Sequence, residues 1–219
     1  MTSKRIITWA SFIIIIALIV WGLIAAQIKS NKQQELAALP GEVVATDHVR
    51  GSETAVVTVV EYEDFQCPAC AQYYPIIERL LAEDASTTMR LVFRHFPLQQ
   101  HANAIPAAHA SEAASNQGKF WEMYSMLYEK QDEWQGLTDA KETFVSYAKA
   151  LGLDTVKFAA DMELPATSER VLSDYRSGVS AKVGGTPTFF VNGKQITTPQ
   201  TYEQFKEILQ KAATEGQAS

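Results

Sequence analysis

The sequence predicts an α/β domain. A mixed central sheet carries helices on both faces and an inserted helical subdomain, and one N-terminal transmembrane helix precedes it. Three observations predict this. Residues 55–62 (AVVTVVEY) and 89–96 (MRLVFRHF) read as strands flanking a helical stretch, a βαβ unit that implies parallel pairing. A helical pattern of about 70 residues follows. The chain then returns to strand pattern at 188–191 (TFFV), closed by Asn192-Gly193, the strongest short hairpin signal.

Each element has its own local warrant. The first strand is short and valine-rich, and both of its faces are mostly apolar, as a covered strand requires. Residues 68–82 place Tyr73, Ile76, Ile77, Leu80 and Leu81 at helical spacing. The region 102–116 is alanine-rich. Phe120, Trp121, Tyr124, Leu127 and Tyr128 form the apolar stripe of the next helix, and Phe144, Ala148 and Leu151 that of another. Asp154 is placed to cap a short helix reaching Met162. Val171, Leu172, Tyr175 and Val179 mark one more. Residues 194–197 read as the partner strand of the hairpin. Thr198 is then expected to cap a final helix with Pro199 at its first position, buried through Tyr202, Phe205, Leu209 and Ala212. The strands on either side of the long helical stretch belong to one sheet, so that stretch reads as an insertion at about 99–165.

Composition narrows the function. Of 219 residues, 47% are hydrophobic and 20% charged, which is globular rather than disordered. The net charge of −6 gives nothing to a phosphate backbone, so nucleic acid is not an expected partner. No glycine-rich phosphate loop of the Walker type is present.

Residues 6–26 carry no charge and are dominated by Ile, Leu, Val, Ala, Phe and Trp. As a helix they would reach about 31 Å, near the ~30 Å thickness of bilayer hydrocarbon. A cleaved signal peptide has a shorter apolar region of about 7–15 residues and small residues at its cleavage site. Here the best site, after Ala26, has Ile24 at the −3 position. An uncleaved signal anchor is the expectation, giving an anchor over 1–28, a linker over 29–46 and a folded domain over 47–215. Lys4 and Arg5 precede the run and Lys29 and Lys32 follow it, so the positive-inside rule does not orient it. A dithiol that makes disulfides belongs in an oxidising compartment. That places the domain outside a cell membrane crossed once.

The chain has two cysteines, Cys67 and Cys70, in the run Cys67-Pro68-Ala69-Cys70 where the first strand hands over to the first helix. Their bond would close a very small loop and add little stability, so a chemical purpose is better motivated than a structural one. Pro68 suits the first helical position, which leaves Cys67 at the N-cap. There the free backbone N–H groups and the helix dipole favour a thiolate, the nucleophile of disulfide exchange. Cys70, one turn on and more buried, can attack a mixed disulfide carried by Cys67. A stabilised thiolate stabilises the reduced form and makes the disulfide a better oxidant. Zinc would need two further ligands. No other cysteine exists, and His48, His95, His101 and His109 show no matching pair spacing, so no metal site is expected. These histidines, and most of the aromatic stripe, read as structural.

The run EYEDFQCPAC after a valine-rich strand, RHFPL at the second strand with an alanine-rich helix after it, and GGTPTFFVNG near the C-terminus resemble the DsbA-like branch of the thioredoxin superfamily. The resemblance covers roughly residues 47–213, including the helical insertion, and implies the thioredoxin fold. It implies that Pro187 is the cis proline before the third core strand, its loop lying against the redox pair. Thr186 would then present its backbone beside Cys67 to an extended substrate segment. It also implies that Glu61, six residues before Cys67, is a buried acid beneath the second cysteine. Such an acid has a raised pKa and can shuttle the proton of Cys70. Glu63 and Asp64 read as exposed loop residues. Where the best-known DsbA proteins carry a histidine between the cysteines, this chain has alanine.

The expected activity is therefore thiol–disulfide exchange, with the Cys67–Cys70 disulfide as the redox group and no separate cofactor. The direction favoured is that of a dithiol oxidase donating disulfides to exported cysteine-containing proteins. As the resemblance implies, a membrane quinone-linked thiol oxidase, DsbB-like or equivalent, would reoxidise it. A reductase or isomerase of the same fold is the alternative, though no spare segment is long enough for a dimerisation domain, and a monomer is expected. A non-catalytic binding or chaperone module is a third reading. It alone predicts that activity survives loss of both cysteines.

Overall fold

The structure, a computed structural model, describes residue 16 and residues 20–22, 42–83 and 89–217. The chain divides into two compact units, residues 1–37 and 38–219. In the first, Ile16 and residues 20–22 are helical and exposed. The remainder of the expected span, and the linker as far as residue 41, lie outside the described residues. Among the described residues no helix is long and apolar enough to cross a membrane.

The second unit is built on a five-stranded sheet. Its strands are β1 (His48–Gly51), β2 (Val57–Glu63), β3 (Met89–His95), β4 (Thr188–Val191) and β5 (Lys194–Gln195). The order is β1-β3-β2-β4-β5; β2 and β3 are parallel and every other pair is antiparallel. The helices are α1 (Pro68–Glu83), α2 (Ala104–Ser115), α3 (Phe120–Glu129), α4 (Gln131–Trp134), α5 (Lys141–Ala150), α6 (Thr155–Asp161), α7 (Pro165–Ser180) and α8 (Tyr202–Gln217).

All seven residues of β2 are buried, because helices cover both faces of the sheet. Val57 and Val59 pack with Ile77 and Leu80 of α1 and with Phe205 and Leu209 of α8. Val60 and Tyr62 face the other way, with Val92, Phe96 and Phe190, and Tyr175 of α7 packs against them. α7 approaches closely at Gly178, where a Cβ would sit 2.6 Å from the Phe96 ring and 3.0 Å from that of Tyr62. Phe65, Cys67 and Cys70 belong to a third cluster with the inserted helices, through Tyr124, Leu127, Tyr128, Trp134 and Phe144. The redox pair therefore sits where sheet and insertion meet.

Several expectations are corrected by the structure. β1 carries no valine-rich run and was not expected. Its pairing with β3 creates it, and Arg94 of β3 anchors the residue before it. The Arg94 guanidinium donates to both oxygens of Asp47, at 3.0 and 2.9 Å, to the Glu42 carbonyl at 2.6 Å and to the Tyr62 hydroxyl at 3.2 Å. A buried charge needs such a set of partners. The final helix begins at Tyr202, not Pro199. The Pro199 carbonyl accepts from the Tyr73 hydroxyl, and Thr201 takes the cap, its Oγ1 accepting from the Gln204 N–H at 3.2 Å. On α7 the stripe is narrower than its periodicity implies. Val171 is buried, but Leu172 and Val179 are 39% and 53% exposed. The Asn192-Gly193 turn has both φ angles positive, 46° and 78°, as a type I′ hairpin demands.

Candidate active site

The loop between β2 and α1 presents Cys67, and Asp64 fixes it. The Asp64 carbonyl accepts from the Cys67 N–H at 3.0 Å, and its Oδ1 accepts from the Gln66 N–H at 2.7 Å. Its Oδ2 accepts from the Leu98 N–H at 2.9 Å and lies 2.7 Å from His101 Nδ1. Gln66 spans outward, accepting from the Asn103 N–H at 2.6 Å and donating to the Gln135 carbonyl at 2.6 Å. Gln131 of α4 donates to the carbonyls of Phe65 and Cys67, at 2.7 and 3.2 Å. The sequence alone does not single out Asp64, Gln66, His101 or Gln131 for this positioning. Asp64 and Gln66 are visible there only as polar residues before a cysteine, and Gln131 and His101 give no local signal.

Pro68 is the first residue of α1 and Cys67 precedes it, with the Ala71 N–H donating to the Cys67 carbonyl at 3.2 Å. Both cysteines are free thiols, Cys67 7% exposed and Cys70 fully buried. The Thr186–Pro187 peptide bond is cis, and Cys67 Sγ lies 3.5 Å from the Thr186 carbonyl. Cys67, Pro68, Ala69, Cys70, Thr186 and Pro187 thus meet at one place.

The two thiols differ sharply. The Cys67 pKa is lowered to about 5. The Cys70 thiol donating to it is the largest cause, and it outweighs burial. The Thr186 hydroxyl, which has no hydrogen-bond partner of its own among the described residues, and the N–H groups of Cys70 and Ala69 add to it. Burial pushes the Cys70 thiol well up, helped by the adjacent Cys67 sulfur and by the charge of Glu63. One sulfur is ionised at neutral pH and the other holds its proton.

Two carboxyls share one face of β2, the strand that leads into the cysteine loop. Glu61 is fully buried, and burial, then the charge of Glu63, raises its pKa well above the ordinary value. Arg50 and the Tyr124 hydroxyl pull the other way, but neither makes a well-formed hydrogen bond to it. The groups that shift Glu61 most, after burial, are Glu63, Glu78, Arg50 and Tyr124. Glu63 is the carboxyl that interacts with both Cys67 and Cys70. It accepts from the Tyr128 hydroxyl at 2.5 Å, and burial raises its pKa to about 8. The expectation that Glu63 and Asp64 are exposed loop residues is therefore corrected: they are 1% and 2% exposed. β2 runs through Glu63, and strand alternation puts it on the face of Glu61, one step nearer the cysteines.

A raised carboxyl pKa makes a contribution to stability that is complete below the unfolded value near 4.5. It is lost as pH rises toward the folded value of about 8. Glutamine carries no such loss and can still accept from Tyr128. Glu63→Gln is expected to stabilise the fold by about 3 kcal/mol at pH 7 and by almost nothing at pH 4. Urea unfolding at the two pH values checks it; equal midpoints for both proteins at pH 7 would contradict the buried-acid assignment.

A dithiol at a helix N-terminus, one sulfur ionised and facing a cis-proline loop, is the arrangement of a thiol–disulfide oxidoreductase. A family model described as thioredoxin matches residues 44–211. The chain belongs to that family. Among solved structures it resembles a thioredoxin-like oxidoreductase from Silicibacter pomeroyi, at 28% identity and TM-score 0.65, over 78% of this chain and 94% of that one. BdbD from Bacillus subtilis shares the fold at 23% identity and TM-score 0.71, over 81% and 98%. Wolbachia pipientis alpha-DsbA1 does so at 19% and 0.72, over 85% and 98%. Curated relatives carry a different name. The Na(+)/H(+) antiporter NhaA 3 of Salinispora tropica is 40% identical over 167 residues, 76% of this chain and 24% of that protein. NhaA of Herminiimonas arsenicoxydans is 41% identical over 150 residues, 68% and 23%. The chain spans about a quarter of the length of these relatives.

Proposed function

We propose that the chain is an extracytoplasmic dithiol oxidase that donates the Cys67–Cys70 disulfide to exported cysteine-containing proteins. The lowered pKa of Cys67 carries this reading, because stabilising the thiolate stabilises the reduced enzyme and makes its disulfide oxidising. A substrate thiolate attacks Cys67 Sγ, the bond to Cys70 breaks, and Cys70 leaves with the electron pair. Glu63 is the buried acid placed to protonate it, with Glu61 next along the strand. A second substrate thiolate then attacks its own sulfur in the mixed disulfide and expels the Cys67 thiolate. The substrate gains a disulfide and the enzyme gains two electrons. A membrane quinone-linked thiol oxidase, DsbB-like or equivalent, would take them back. No cofactor beyond the cysteines enters.

The apolar run 6–26 supports a single-pass anchor in the cell membrane. Related sequence inside proteins named Na(+)/H(+) antiporters supports the same setting. Equilibration of the full chain in glutathione buffers tests the direction of flow. A potential at or above about −220 mV is expected, and a value near thioredoxin's, about −270 mV, would assign a reductase instead.

A further inference from the structure

We propose that His48, His95 and Glu112 form a binding site for one transition-metal dication, with zinc the ion that fits. His48 opens β1, His95 closes β3 and Glu112 lies in α2. The register pairs His48 with Phe93, so His95 is two residues further along the same face of the sheet. α2 brings the Glu112 carboxylate between the two rings. Glu112 Oε1 is 2.7 Å from His48 Nε2 and 2.8 Å from His95 Nε2, and the three ligand atoms lie within 4.8 Å of one another. Separations of 47 and 17 residues hide this convergence in the sequence, which gives no expectation of a metal site.

Two imidazole nitrogens and one carboxylate oxygen are a donor set that zinc takes with a fourth position left for water. Bonds of about 2.1 Å in a tetrahedral site put ligand atoms about 3.4 Å apart, so each contact must open by about 0.6 Å, within the reach of side-chain rotation. Calcium and magnesium are disfavoured, because these hard ions take oxygen ligands. The ring of His48 is held by Phe120, stacked at 3.4 Å with planes 8° apart. Its side chain is 12% exposed, against 1% for His95, so an ion enters past His48. Two neighbouring guanidiniums, Arg94 and Arg170, are each matched by an aspartate, Asp47 and Asp174. Arg170 also senses the charge of Glu112, so a bound cation would share that carboxylate with it. A bound ion would tie edge strand β1, strand β3 and helix α2 together, and brace Phe65, whose ring centroid is 6.0 Å from that of His95.

The test uses the full chain with its Cys67–Cys70 disulfide formed, because a free dithiol binds zinc itself. Equilibrium dialysis against zinc chloride is expected to give one ion per chain and a higher unfolding midpoint, since the ion binds only the folded state. His48→Gln and Glu112→Gln should each weaken binding by at least about tenfold. Cobalt(II) titration of the unmodified oxidised chain gives a second readout that needs no variant: intense visible absorption of a four-coordinate nitrogen and oxygen site is expected. Absence of uptake, the weak spectrum of hydrated cobalt, or folded variants that bind zinc as well as the parent would each reduce the cluster to a hydrogen-bonded His–Glu–His contact. None of these outcomes depends on whether the chain is an oxidase.

Discussion

Replacing Cys67 by serine is expected to abolish disulfide transfer, lowering the rate of oxidation of a reduced protein substrate by at least about a thousandfold. The serine hydroxyl is not ionised at neutral pH and cannot form the mixed disulfide. Cys70 cannot take over: it is fully buried, and its thiol is held protonated by burial and by its neighbours. Cys70→Ser has a different outcome. Cys67 keeps a nucleophilic sulfur but can no longer form the disulfide that is donated, so turnover stops; with Cys70 unable to attack back, mixed disulfides of Cys67 with oxidised substrates accumulate on non-reducing gels. Residual turnover in Cys67→Ser, or a Cys70→Ser protein that forms no adducts, would contradict the assigned roles. Activity that survives loss of both cysteines would instead identify a binding module.

The second large effect is a dependence of stability on pH confined to the reduced protein. Cys67 titrates near 5 in the fold and near 9 unfolded. Its contribution is therefore complete above about 9, diminishes as pH falls, and is gone below about 5. At pH 7 about 2–3 kcal/mol remains, since each tenfold change in proton affinity is worth about 1.4 kcal/mol. The oxidised protein has no thiolate at this position and gains nothing from it. Denaturant unfolding of both forms at pH 7 and pH 4 should show the reduced form losing about 2–3 kcal/mol relative to the oxidised. For a two-electron couple that difference corresponds to about 50 mV of oxidising power. The ultraviolet absorbance of the thiolate, titrated on the reduced chain, should have its midpoint near 5. A midpoint at 8 or above would remove both the stability effect and the basis for an oxidising disulfide.

Much of this site is legible in the sequence because its chemistry is local. The spacing of Cys67 and Cys70 around Pro68, the alternation of β2 and the Asn192-Gly193 turn each depend on neighbours a few residues away. The cis-proline loop is legible through family resemblance, because no local rule brings residue 186 to residue 67. What escapes a reading of the sequence depends on tertiary partners. β1 exists because β3 and the Arg94–Asp47 pair hold it, and nothing in HVRG demands a strand. Glu63 looks like the start of a loop because it is acidic and follows Tyr62. It becomes a buried acid only when α1 and α3 close over that end of the strand, with the Tyr128 hydroxyl supplied from 65 residues away. The helix start moves to Tyr202 for a similar reason: Tyr73 of α1 claims the Pro199 carbonyl, which local capping rules cannot anticipate.

Asp64 has a mechanical meaning beyond its individual contacts. One side chain clasps its own turn at Gln66, the chain leaving β3 at Leu98, and the imidazole of His101. A clasp on three segments leaves the peptide around Cys67 little slack to rearrange when the sulfur–sulfur bond opens. Each catalytic cycle would then be a matter of shifting charge and protons within a stationary frame, and crystals of the two oxidation states should superimpose around residues 64–67.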